Sequence, residues 1–91
     1  MHLPLQSVAD LGLAIRATRR GSKVRLDDPS ALAGVSKQFT SDVEYGKATV
    51  QMGLVFELLE ELGLYLSVDI PDTAAAELQA LRAQGGPRRH A

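Results

Sequence analysis

Ala31-Leu32-Ala33-Gly34-Val35-Ser36-Lys37-Gln38-Phe39-Thr40-Ser41-Asp42-Val43-Glu44-Tyr45-Gly46-Lys47 reads as a short helix, a tight turn, and a second short helix closed by glycine. Ser36 is placed to cap the second helix, its hydroxyl accepting from the free N–H groups of the first turn. Gly34 suits a corner with positive φ, which a Cβ would obstruct. Val35, Phe39 and Val43 recur every four residues, so they are expected to share the inner face of the second helix. Lys37, Gln38, Ser41 and Tyr45 then fall on the opposite side and can all form hydrogen bonds. Two short helices around a tight turn, the second apolar behind and polar in front, have the form of a reader of the DNA major groove.

Working outward, Ser7-Val8-Ala9-Asp10 has the form of a capping box, so a first helix should begin near Val8 and end near Arg20-Gly21. Its inner face is Leu11 and Ile15, with Ala14 and Thr18 beside them. Lys23 to Asp28 reads as a loop. Asp28-Pro29 then supplies an N-cap and a proline at the first helical position of the second helix. Thr49 is expected to cap a fourth helix that continues to Leu62 and stops at Gly63. Met52, Val55, Leu59 and Leu62 recur at helical spacing and are expected inside, with Phe56 and Leu58 beside them. Glu57, Glu60 and Glu61 belong to the solvated side. Helices of this kind pack into a four-helix globule.

From Leu64 the period changes. Leu64, Leu66, Val68 and Ile70 alternate with Tyr65, Ser67 and Asp69, which is a strand pattern. One strand leaves its own backbone groups unpaired, so it needs a neighbour. Pairing with a second protomer across a twofold is favoured, because a reader of palindromic half-sites needs a twofold as well. Pro71 ends the strand. Residues 72–84 carry good helix formers behind Asp72 as N-cap but few apolar anchors, so a marginal helix is expected there. Gly85-Gly86-Pro87 stops it, and Arg88-Arg89-His90 reads as a flexible basic tail.

The chain has 91 residues, no cysteine and a net charge of −1. That length predicts one small domain with a modest core, and such a domain often oligomerises to bury more apolar surface. Without cysteine there is neither a disulfide framework nor a thiolate metal site. No apolar run of membrane-spanning length and no signal-peptide pattern occur, so a cytoplasmic protein without membrane association is expected. Charge is uneven along the chain. Arg16, Arg19, Arg20, Lys23, Arg25, Lys37 and Lys47 place the cationic excess in the half that holds the two-helix motif. The excess is slight, so DNA affinity per protomer should be modest and salt-sensitive.

Ala33-Gly34-Val35-Ser36, Thr40-Ser41, Glu44 and Gly46-Lys47, in this order and spacing, resemble the XRE (lambda-repressor-like) helix-turn-helix family. Thr49-Val50-Gln51-Met52, the amphipathic helix to Leu62-Gly63-Leu64 and the lone strand that follows are similar to HipB-like antitoxins within it. The resemblance spans roughly residues 7–70. It implies an all-α fold: a four-to-five-helix lambda-repressor-like DNA-binding domain with one C-terminal β-strand pairing across a dimer. The domain is expected over residues 1–70, with the strand 64–70 as its dimerisation element, and residues 71–91 as a marginal helix and flexible tail. The implied partners are a double-stranded DNA operator, a second copy of the chain, and a HipA-like kinase toxin. In this family an arginine ending the first helix pairs with a glutamate near the end of the recognition helix. Arg19 and Glu44 stand at those places, as a structural ion pair rather than as chemistry.

Lys37, Gln38, Thr40 and Ser41 form the expected recognition set, with Tyr45 on the same helix. Lysine donates to guanine acceptors or a phosphate, and glutamine pairs two ways with adenine. Arg20, Lys23, Arg25 and Lys47 have loop or helix-end settings that suit phosphates. The family pattern is broken at two points. Leu26 stands where a phosphate-anchoring glutamine usually opens the second helix, Asp27-Asp28 follow, and Pro29 replaces a leucine. Those residues weaken the backbone-clamping half of the motif and shorten its helix.

No catalytic site is legible. His2 and His90 sit at the ends, the serines lack a structured base, and Gly85-Gly86 lacks the lysine of a phosphate loop. Glu60-Glu61 and Asp27-Asp28 are helix-face and cap residues. Neither a cofactor nor a metal is expected. Two other readings stay open beside the antitoxin-type repressor: a stand-alone XRE-family repressor, and a degenerate helix-turn-helix acting mainly as a protein-binding module.

Overall fold

The computed structural model describes residues 1–86. Its helices are α1 (Val8–Gly21), α2 (Asp27–Ala33), α3 (Lys37–Glu44), α4 (Met52–Glu61) and α5 (Ala75–Ala83), the last preceded by a 3-10 turn at Asp72–Ala74. Helix α1 begins where the capping box places it. Ser7 Oγ accepts from the Asp10 backbone N–H at 3.1 Å, and the Asp10 carboxylate accepts from the backbone N–H of Gln6 at 2.9 Å. Leu11 and Ile15 are buried, as the helical period requires. The C-terminal end of α1 turns through Lys23, which adopts a left-handed φ of 56°. That conformation disfavours a β-carbon, and the hydrogen bond from Val24 N to Arg19 O at 2.9 Å holds the turn closed.

Helix α2 starts one residue before its expected cap. Leu26 is the N-cap and makes no side-chain cap bond, while Pro29 lies inside the first turn, where its missing N–H would have had no partner. Gly34 ends α2 with φ 72°, and Ser36 Oγ accepts from the Phe39 backbone N–H at 2.9 Å to open α3. Packing pairs α1 with α3 and α2 with α4, and α2 also touches α3. The core is Leu11, Ile15, Ala33, Val43, Val55, Leu58 and Leu59.

The phase of α3 differs from the expected one. Its buried residues are Thr40, Val43 and Glu44, while Val35 and Phe39 are only half-buried at the edge of the core. Two polar side chains take inner positions because each finds a partner there, which removes the desolvation cost that apolar patterning assumes. Helix α4 differs as well. Its N-cap is Gln51 rather than Thr49, and Val55, Leu58 and Leu59 are buried, with Leu62 half-buried. Met52 and Phe56, expected inside, are 46% and 53% exposed. A helix packed on one neighbour buries one stripe, and these two apolar residues lie beyond it.

Leu64–Ile70 forms no ladder in the single chain, and no strand occurs among the described residues. Leu64 and Leu66 pack against the core, whereas Tyr65, Val68 and Ile70 remain exposed. The expected helix over 72–84 is present as the 3-10 turn and α5, but Asp72 makes no side-chain cap bond and no residue of α5 is buried. The expected tail at Arg88-Arg89-His90 lies outside the described residues. No helix among the described residues is long and apolar enough to cross a membrane.

Candidate nucleic-acid interface

What fixes the outer face of α3 is its inner face. Arg19 Nε donates to Glu44 Oε2 at 2.6 Å and Nη2 donates to Oε1 at 2.8 Å, a two-pronged pair between the end of α1 and the end of α3. The third arm, Nη1, donates to the Val24 carbonyl at 3.1 Å, so the loop after α1 is tied to the same point. Glu44 is 2% exposed. Its hydrogen bonds raise the Arg19 pKa above the ordinary value, against the opposing effect of burial. Planar, bidentate geometry of this kind holds orientation as well as charge.

A second lock joins α2 to α3. Ser30 Oγ lies 2.7 Å from the Leu26 carbonyl and 2.7 Å from Thr40 Oγ1, and both side chains are buried. The single serine proton goes to the carbonyl, so the threonine hydroxyl donates to Ser30. Thr40 therefore leaves the expected recognition set: its hydroxyl faces α2, not solvent. At the N-terminal half of α1, Gly12 lies against the α3 backbone. A Cβ there would stand 2.6 Å from the Glu44 carbonyl oxygen and closer still to that of Val43. Ala9 crowds Gly46 in the same way, with its Cα 2.9 Å from where a Gly46 Cβ would be. The C-terminal end of α3 and the turn after it are held against α1 at Ala9, Gly12 and Arg19.

On the outer face, Lys37, Ser41 and Tyr45 recur at i, i+4 and i+8 with Gln38 beside them. Lys37, Gln38 and Tyr45 are exposed and Ser41 is half-buried. The structure thus brings four of the five expected α3 residues into one row. Arg25 joins this row from the preceding loop. Its guanidinium and the Lys37 ammonium both lie 3.6 Å from the Asp27 carboxylate. Lys47, just after α3, lies 3.5 Å from Asp42, and the Gln38 amide donates to the other oxygen of Asp42 at 2.8 Å. Exposed pairs of this length contribute little and exchange readily for other partners. Lys23 is exposed at the turn after α1, apart from these pairs.

Arg16 was not among the expected residues. Its guanidinium lies 4.5 Å over the Tyr45 ring. Its hydrogen bond and charge lower the Tyr45 phenol pKa below the ordinary value, with a further contribution from Arg20. Arg16 and Arg20 are four residues apart on α1, so they share a face that continues the α3 row. That spacing was available in the sequence. What was not available is that the face meets Tyr45.

A helix-turn-helix with its second helix braced from behind and polar in front defines this molecule as a domain of DNA-reader architecture. No family model matches the chain. It is 34% identical over 67 residues to y4mF, an uncharacterized HTH-type transcriptional regulator of Sinorhizobium fredii, a match that covers 74% of this chain and 88% of that protein. Among solved structures, a HipB–O4 20-mer complex is similar with a TM-score of 0.70 at 15% identity, covering 78% of this chain and all of the matched one. A HipA–HipB–O2–O3 complex gives 0.71 at the same identity and coverage. The chain belongs to the helix-turn-helix transcriptional regulators, with a fold of the XRE-like, HipB type.

Proposed function

We propose that this chain is a sequence-specific repressor that binds operator DNA as a homodimer, and that it is the antitoxin of a HipBA-like operon whose toxin is a HipA-like kinase. One observation carries the DNA-binding part: Lys37, Gln38, Ser41 and Tyr45 stand in an outward row on a helix whose back is fixed by Arg19–Glu44 and Ser30–Thr40. Their donors and acceptors suit base edges, and the neighbouring Arg20, Lys23, Arg25 and Lys47 suit phosphates. Such a protein acts by binding, without catalysis, in the cytoplasm. The HipB fold, found also in a HipA–HipB complex, supports the toxin partner.

The dimer in this reading uses residues 64–70. Leu64 and Leu66 rest on the core of their own protomer, while Val68 and Ile70 are left 81% and 45% exposed with unpaired backbone beside them. A second copy of the segment supplies the missing ladder. Residues 1–70 are the DNA-binding unit, and residues 71–91 are an appendage.

The test is a binding titration on the DNA upstream of the gene, at about 50 and 200 mM salt, with affinity falling steeply as counterions compete. Gln38→Ala with Ser41→Ala should abolish operator preference and leave the helical signal intact. Unchanged operator affinity in that variant would sink the assignment. Co-purification with the product of the neighbouring reading frame tests the toxin partner. Leu66→Pro should give a monomer in sedimentation and weaken operator binding.

A second reading has a specific observation in its favour. Asp27 and Asp42 already occupy Arg25, Lys37, Lys47 and Gln38, which suits a domain that binds protein rather than phosphate. Absence of any DNA shift at low salt would select it.

A further inference from the structure

We infer that Asp42 is a specificity-determining positioning residue, which sets the Gln38 amide to read adenine and to refuse guanine. The inference rests on the DNA-binding reading above and deepens it at one base position. A glutamine amide carries two N–H donors and one carbonyl acceptor. Left free, it offers two bidentate faces. The carbonyl and one N–H match the amino group and N7 of adenine, while both N–H groups together match O6 and N7 of guanine.

In this chain one N–H is already committed. Gln38 Nε2 donates to Asp42 Oδ1 at 2.8 Å, one helical turn along the same face. With the N–H remote from the carbonyl given to Asp42, what remains for the groove is one donor beside one acceptor, the complement of adenine. Guanine would require the second N–H and so the loss of a hydrogen bond to a carboxylate. Asp42 is itself only partly exposed. Its other oxygen lies 3.5 Å from Lys47 Nζ, its side chain is 27% exposed, and its backbone carbonyl accepts from the Lys47 N–H at 2.9 Å. The carboxylate thus lies one helical turn along α3 from Gln38, within reach of its amide. Being negative, it also repels nearby phosphates, so it contributes selectivity at the expense of affinity for DNA in general.

The experiment selects binding sites for the full-length protein from random-sequence duplex DNA, then measures affinity for the selected site with each base substituted in turn. Wild type should prefer adenine over guanine at one position per half-site by about tenfold or more, and Gln38→Ala should erase that preference. Asp42→Ala should bring the ratio at this position down to within a few-fold of one while binding to all sequences tightens. A merely structural role for Asp42 would instead weaken binding to all sequences alike. In the Gln38→Ala background, Asp42→Ala should leave the ratio unchanged. Full adenine preference in Asp42→Ala, or no adenine position dependent on Gln38 in an otherwise well-defined site, overturns the inference while sparing the repressor reading. Failure of wild type to select any site overturns both.

Discussion

Residues 8–62 and residues 64–86 both carry helix, but hold it in place differently. In the first region each helix is fastened from outside itself. Arg19 spans α1, the following loop and Glu44 of α3, Ser30 meets Thr40, and Gly12 lets the α1 and α3 backbones approach. In the second, α5 has no buried residue, and Leu64–Ile70 lies extended without a ladder. A short helix is marginal unless packing supports it. The comparison teaches that α3, only eight residues long, is precise because of what stands behind it.

The largest expected effect breaks the first region at its ion pair. Glu44→Ala leaves the largely enclosed Arg19 guanidinium with only the Val24 carbonyl as partner, which costs about 3–5 kcal/mol. Denaturant unfolding should show most of the stability of so small a domain removed. A loss under about 1 kcal/mol would mean that Arg19 finds water or another partner. Gly12→Ala attacks the same interface from the other helix. Because its Cβ would meet α3 backbone rather than a flexible side chain, a cost of about 1–3 kcal/mol or more is expected, together with lost operator binding as α3 is displaced.

Phe39 sharpens the comparison between expected and observed helix phase. Its spacing with Val35 and Val43 predicts a core residue, for which truncation to alanine costs about 3–5 kcal/mol. The structure leaves it half-buried at the core edge, so Phe39→Ala should cost clearly less, about 1–2 kcal/mol on the area it buries. Thr40→Val, which keeps the shape and removes the hydroxyl, probes the true inner face beside it.

Smaller effects belong to the second region and to the surface. Leu78→Ala with Leu81→Ala in α5 should change unfolding stability by less than about 0.5 kcal/mol, since neither side chain is buried. A larger change would show that α5 docks. The smallest effect is a titration. Arg16 favours the Tyr45 phenolate, so the folded chain releases its proton at lower pH than the unfolded chain does. The part of this contact that depends on the phenolate is absent at neutral pH and appears as pH rises through the lowered folded value toward the ordinary value near ~10. Phenolate absorbance in a Tyr65→Phe background reads it, and Arg16→Ala should move the titration upward.

Much of this was legible from residue order. Ser7 and Ser36 cap the helices the sequence assigns them, and Gly34 and Gly46 turn the chain with φ 72° and 80°. These signals work because each acts within a few bonds, where hydrogen-bond reach and φ preference leave one outcome. The polar row Lys37, Gln38, Ser41 and Tyr45 was visible for the same reason, from helical period alone. The pairing of Arg19 with Glu44 came from family resemblance, since residues 25 positions apart carry no local signal of contact.

Tertiary structure decided the rest. Thr40 and Glu44 are inside because Ser30 and Arg19 arrive to satisfy them, and no apolar pattern encodes that. Met52 and Phe56 are outside because only one stripe of α4 meets α2. Gly12 reads as an ordinary helix residue until α3 is laid against it, and Asp42 as an ordinary surface acid until Gln38 and Lys47 converge on its two oxygens. In each case the deciding energy comes from a group distant in sequence or on another face, so it exists only once the chain has folded.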